Sequence, residues 1–180
     1  ACMAVFEQAV KNSCSLVIAH HGIIWGGLRA ITGSAYRQIA CLVENRVGLY
    51  AAHLPLDLHP ECGNNVCLCK LLDIRDRTPF GMYKGIEIGY SGSLPRPLSI
   101  NEIGTVLDAA LGGKSSFLPF GPHMCSTVGI VSGGGSDALG ECIEKGIDCL
   151  ITGEPEHHNH HGALEGQVNV VYCGHYHSEK

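Results

Sequence analysis

Four segments of this chain are almost continuously apolar, and each leads into a glycine turn bearing polar side chains. Leu16-Val17-Ile18 runs on to His20-His21-Gly22, and Thr127–Val131 to Ser132-Gly133-Gly134-Gly135-Ser136. Asp148–Thr152 leads to Gly153-Glu154, and Val168–Cys173 to Gly174-His175. A strand with one wet face alternates apolar and polar residues, so near-continuous apolar strands require cover on both faces. Between them lie segments of helical spacing: 4–11, 28–44 (Ile31, Ala35, Ile39, Leu42 on one face), 63–72 and 137–145. The expected class is α/β, built from parallel βαβ units with helices packed on the sheets. Open sheets of this kind collect ligands beyond the carboxyl ends of their strands, where the polar turns fall.

Around this frame, Arg46–Ala52 reads as a further strand running into the loop His53-Leu54-Pro55-Leu56-Asp57. Residues 75–81 read as a polar turn, 85–90 as a short strand at an edge or in a hairpin, and 112–124 as a loop. Ser99 followed by Glu102 predicts a capping box opening a helix over 100–111.

Charge narrows the function. Twelve Lys and Arg against seventeen Asp and Glu give −5, without the basic footprint that a nucleic-acid backbone requires. No apolar run approaches the roughly 18 residues of a membrane span, and no signal-peptide pattern opens the chain, so the expected compartment is the cytoplasm. With 45% hydrophobic and only 16% charged residues, part of the surface is expected to be covered by other copies of the chain. The ten cysteines form no C-x-x-C pair, and most are expected to be small core residues.

The residues that could carry chemistry lie at the strand ends. His20 and His21 can reach one site only where the strand has ended and Gly22 lets the backbone turn; one buried and one exposed histidine is the competing reading. Asp57 suits a metal-bridging carboxylate or, equally, a helix cap. His53 suits a proton carrier, and Glu154 a general acid or base. His175 and Glu179, four apart, share a face if a helix begins at 175. The amides of Ser132, Gly133, Gly134 and Gly135 are candidates to cradle an anion, a plain tight turn being the alternative. The tract Glu154–His161 carries His157, His158, His160 and His161, as a metal-binding surface or a solvated loop.

Five motifs in order, A-H-H-G-x-x-W, H-L-P-L-D followed by G-N-N, S-G-G-G, I-T-G-E and G-H-Y-x-S-E, resemble the Nif-three-like (NGG-one-interacting-factor-three-like) family over about Val5 to Glu179. These are dinuclear metal-binding proteins, many labelled type-two homologues of GTP cyclohydrolase I. The resemblance implies two α/β lobes with mostly parallel sheets and a metal site at strand carboxyl ends between them. It implies two divalent ions per subunit, zinc, iron or manganese, held by His20, His21, Asp57, His175 and Glu179. A toroidal homohexamer is implied as well.

Set against these motifs, the lobes divide as 1–75, a connecting region 76–125, and 126–180. Family members continue past the last motif into a closing helix and start with a longer segment, so a chain lacking terminal segments is expected. Two ions roughly 3.5 to 4 Å apart would suit hydrolysis of a nucleotide-like substrate. The opposing expectation is a non-catalytic metal-binding regulatory or interaction protein.

Overall fold

The computed structural model describes residues 1–27 and 30–180. They form two compact units, Ala1–Leu56 and Asp57–Lys180.

The first unit is one βαβ turn with a preceding helix. Helix α1 (Met3–Lys11) leads to strand β1 (Leu16–Ala19), then helix α2 (Gly33–Glu44) and strand β2 (Gly48–Ala51). Strands β1 and β2 pair in parallel with Leu16 opposite Gly48 and Ala19 opposite Ala51. Phe6 and Ala9 of α1 bury against Val17, Leu42 and Val47. The helical spacing placed the start of α2 at residue 28; Leu28 and Arg29 lie outside the described residues, and the helix is observed from Gly33.

The second unit opens with the end of a single helical turn, α3 (Leu54–Asp57), and continues with α4 (Asn64–Leu71), β3 (Arg75–Tyr83), β4 (Ile86–Leu98) and α5 (Ile100–Leu111). It then runs through β5 (Ser116–Leu118), β6 (Cys125–Val131), a 3-10 turn at Ser136–Ala138, and α6 (Leu139–Lys145). Strand β7 (Cys149–Thr152), α7 (Asn159–Gly166), β8 (Asn169–Tyr172) and the short α8 (His175–Ser178) complete it. Its sheet has the order β3-β4-β6-β7-β8-β5.

The expectation of mostly parallel sheets is corrected here. Strands β6, β7 and β8 are parallel as read, but β3 with β4, β4 with β6, and β5 with β8 are antiparallel, so the sheet is mixed. The reason is local. Lys84 and Gly85 both take positive φ (49° and 84°), which closes a two-residue hairpin between Tyr83 and Ile86. Residues 75–81, expected as a turn, are therefore strand, and their charged Arg75-Asp76-Arg77 start suits a sheet edge exposed to water. The expected loop 112–124 contributes β5 at the other edge.

The inner strands bury both faces, as their composition requires. Cys149 and Ile151 of β7 face one core with Leu68 of α4 and with Ile103 and Leu107 of α5. Leu150 points oppositely, into a second core with Phe80, Cys142 of α6 and Ala163 of α7. Helix α4 thus packs within the second unit, with Leu68 and Cys69 in the core shared by β4, α5 and β6.

The capping box forms as read: Glu102 N–H donates to Ser99 Oγ (3.3 Å) and Ser99 N–H to Glu102 Oε2 (2.8 Å). Ser99→Ala is expected to destabilise the protein by about 1 kcal/mol, measured by denaturant unfolding; a change below about 0.3 would mean that water replaces the cap.

All ten cysteines are free; five are buried and Cys41 partly so, whereas Cys2, Cys14, Cys62 and Cys67 are exposed, which narrows the core expectation. Burial pushes Cys142 up to about 12 and Cys69 and Cys173 to about 11, so these thiols stay protonated and serve as packing. Among the described residues, no helix is long and apolar enough to cross a membrane.

Candidate metal centre

In the first unit the parallel register delivers two strand ends side by side. Ala19 and Ala51 pair, and His20, His21 and His53 follow just beyond them. Their ring centroids lie 4.7 Å (His20 to His21) and 5.1 Å (His53 to each) apart. Each ring offers a nitrogen within 4.8 Å of the others. His20 Nδ1 lies 3.0 Å from the Ala52 carbonyl, which can only accept; the ring proton is therefore on Nδ1 and the lone pair on Nε2. Trp25 braces the cluster, edge-on to His53 at 5.1 Å and 89°, with its indole N–H donating to the Gly22 carbonyl. The two histidines thus share one cluster, and His53 joins them.

In the second unit the glycine turn after β6 is the organising element. Asp57, 5% exposed, accepts on Oδ1 from Asn64 Nδ2 (2.7 Å) and from Ser132 Oγ (3.2 Å). One residue further, Gly133 takes φ 62°, and a Cβ there would fall on Glu179 Oε1 and within 3.1 Å of His175 Nε2. Gly133 N–H donates to Ser178 Oγ (2.9 Å), whose own proton goes to the His175 carbonyl (2.9 Å). Gly174, at φ 89°, turns the chain out of β8 into α8. That helical turn sets His175 Nε2 3.2 Å from Glu179 Oε1, as their spacing implied. Asp57, His175 and Glu179 therefore all border two consecutive residues of one turn.

The same turn bears on the anion expectation. Ser132 N–H donates to Asn65 Oδ1 (2.7 Å), Gly133 N–H to Ser178, and Gly135 N–H to Thr152 Oγ1 (3.1 Å). Three amides of the proposed cradle are thus engaged within the protein. Glu154 stands with Oε2 3.0 Å from His175 Nδ1. The histidine tract is a turn at His157 and His158 followed by the first turn of α7, which carries His160 and His161; all four are exposed, and His158 Nε2 is 3.4 Å from Glu156 Oε2.

Sequence reasoning missed Asn64, Asn65, Ser178 and Thr152, the polar residues that hold these groups in place. The one available signal was two asparagines opening an apolar helix shortly after Asp57. The imidazoles of the first unit, and His175 with the carboxylates Asp57 and Glu179 about the glycine turn of the second, are nitrogen and oxygen donors that fit zinc, iron or manganese.

Comparison with known proteins agrees with the motifs. The chain is 42% identical over 180 residues to a protein of Archaeoglobus fulgidus named GTP cyclohydrolase 1 type 2 homolog, covering all of this chain and 71% of that one. A protein of the same name from Halobacterium salinarum is also 42% identical, over 99% of this chain and 72% of its own. Among solved structures, the protein ybgI, of unknown function, superposes with a TM-score of 0.89 at 32% identity, over 99% of this chain and 71% of that one. TTHA1606 from Thermus thermophilus superposes with a TM-score of 0.85 at 33% identity, over 98% and 69%. The family model Duf34/NIF3 (NGG1p interacting factor 3) matches residues 1–180, and the chain belongs to that family.

Proposed function

We propose that His20, His21, Asp57, His175 and Glu179 are the ligands of two divalent metal ions, and that the protein hydrolyses a nucleotide-like substrate. The observation that carries the reading is the imidazole cluster at the ends of β1 and β2, with ring nitrogens within 4.8 Å of one another: His20 and His21 supply the donor pair that a divalent cation takes, and His53 stands beside it. The grouping of Asp57, His175 and Glu179 about Ser132 and Gly133 supports the rest of the ligand set. Such ions, when bound, supply Lewis acidity and make water acidic enough to attack at neutral pH. His20 presents Nε2 as its donor because the Ala52 carbonyl occupies Nδ1. His53, against both neighbours, takes the proton from the attacking water and returns it to the leaving group. The buried Asp57 keeps its orientation through Asn64 and Ser132.

The substrate class rests on the relatives' name. Assembly as a cytoplasmic homohexamer is part of the same proposal, supported by Leu16 (51% exposed), Ile18 (73%) and Tyr50 (60%) on the strands of the first unit. A non-catalytic metal-binding regulatory role is the second reading. It is favoured by the engaged amides of Ser132, Gly133 and Gly135, which leave little of a phosphate grip.

Elemental analysis of the metal-replete protein is expected to find about two ions per chain, and His21→Ala to lose most of them. Equal content in both would defeat the ligand set. Turnover on a panel of nucleotides and phosphoesters, lost in His21→Ala, separates the enzyme from the regulatory protein, which would bind metal and turn over nothing.

A further inference from the structure

We propose that Glu154 is a positioning residue: its carboxylate accepts a hydrogen bond from His175 Nδ1–H and so fixes the imidazole with its Nε2 lone pair turned toward Glu179. The inference rests on the metal-binding reading, but the tautomer it requires belongs to the metal-free protein. Glu154 Oε2 lies 3.0 Å from His175 Nδ1, and Glu179 Oε1 lies 3.2 Å from Nε2, so the ring is held between two carboxylates. An ionised carboxylate only accepts, and a neutral imidazole carries one proton. Of the two partners, Glu154 is the one whose place is built independently of the histidine.

That support is visible in the backbone. The Glu154 carbonyl accepts from Ser136 Oγ (2.7 Å), and Ser136 is fully buried. Asn159, 4% exposed, donates through Nδ2 to the Ser136 carbonyl (2.9 Å). The Glu154 N–H donates to the Gly133 carbonyl (3.2 Å). A Cβ on Gly134 would come within 3.3 Å of Glu154 Oε1, so the half-exposed side chain runs beside the glycine turn with its other oxygen on His175. The turn after β6 therefore seats both Glu179, against Gly133, and the carboxylate that orients His175. A carboxylate behind a ligating histidine holds its tautomer and raises its basicity, and losing one weakens metal affinity by about 10- to 100-fold. Glu154 then acts through His175, while proton transfer falls to His53.

The test compares wild type, Glu154→Ala and Glu154→Gln. Zinc affinity is measured by chelator competition, and the His175 tautomer by long-range proton–nitrogen NMR of the metal-free proteins. Wild type should show the Nδ1–H tautomer. Glu154→Ala should lose that preference and bind zinc about 10- to 100-fold more weakly. Glu154→Gln, whose amide oxygen still accepts, should recover the tautomer and most of the affinity, with all three unfolding at the same denaturant concentration. Unchanged affinity in Glu154→Ala, or an Nε2–H tautomer in wild type, would overturn the proposal. Should wild type bind no zinc, the metal reading fails on its own, and the NMR arm still decides whether Glu154 orients His175.

Discussion

Gly133→Ala is expected to remove metal binding and to lower stability together. At φ 62° the backbone sits in the left-handed region, where a side chain costs about 1 to 2 kcal/mol. The new methyl would also occupy the position of Glu179 Oε1 and crowd His175 Nε2 at 3.1 Å. Neither neighbour is loose: Glu179 follows α8, whose Ser178 is bonded to Gly133 itself. Relief therefore requires the His175–Glu179 pair to shift, so both residues lose the geometry that ligation needs. Zinc titration and denaturant unfolding read the two effects separately. Gly140→Ala is the matched control. Gly140 lies in α6 with nothing within 4 Å of an added Cβ, so alanine there should stabilise by about 0.5 to 1 kcal/mol and leave metal binding intact. A Gly133→Ala protein that binds zinc like wild type would show that Glu179 is not a ligand in its observed position.

Asn65→Ala should be the most destabilising polar substitution outside the proposed ligands. Asn65 is 1% exposed, and its amide bridges separate parts of the second unit. Nδ2 donates to the Ile88 carbonyl of β4 (2.6 Å) and more weakly to the Asp57 carbonyl (3.4 Å), while Oδ1 accepts from Ser132 N–H (2.7 Å). Alanine deprives a buried N–H and a part-buried carbonyl of their partner, at about 1 to 3 kcal/mol for each. A loss of about 2 to 5 kcal/mol in unfolding free energy is expected, together with weaker metal binding, because Ser132 in turn donates to Asp57. Asn65→Asp should not rescue, since its oxygens can serve Ser132 but cannot donate to Ile88. A loss under about 1 kcal/mol in the alanine variant would mean that water enters and replaces the amide.

Residues that act through local geometry are legible in the sequence. The parallel core of β6, β7 and β8 followed from apolar runs that tolerate water on neither face. The α5 capping box followed from Ser99 and Glu102, whose partners are three residues apart. His175 and Glu179 met as their spacing implied, because one helical turn suffices to join them. The antiparallel half of the second unit is legible only in part: residues 85–90 read as a strand at an edge or in a hairpin, and β4 covers them in a hairpin with β3. Strand β3 opens with charged residues that read as a turn, and the tight form of its hairpin with β4 depends on Lys84 taking positive φ, which lysine's residue type does not announce. The glycine turn was found, but its role was not: its amides bond to Asn65, Ser178 and Thr152, each distant in sequence.

Residue order alone was enough for the secondary elements that local periodicity controls, for the placing of ligand-type residues at strand ends and, through five ordered motifs, for the family. The mixed order of the sheet and the joining of His53 to His20 and His21 emerged only in the folded chain. So did the roles of Gly133 as a seat for Glu179 and of Glu154 behind His175. Periodicity and capping are set by neighbours within one turn of chain. Hydrogen bonds such as Ser132 to Asn65, or Ser136 to Glu154, depend on which strands pair and in what register, and no short stretch of residues encodes that.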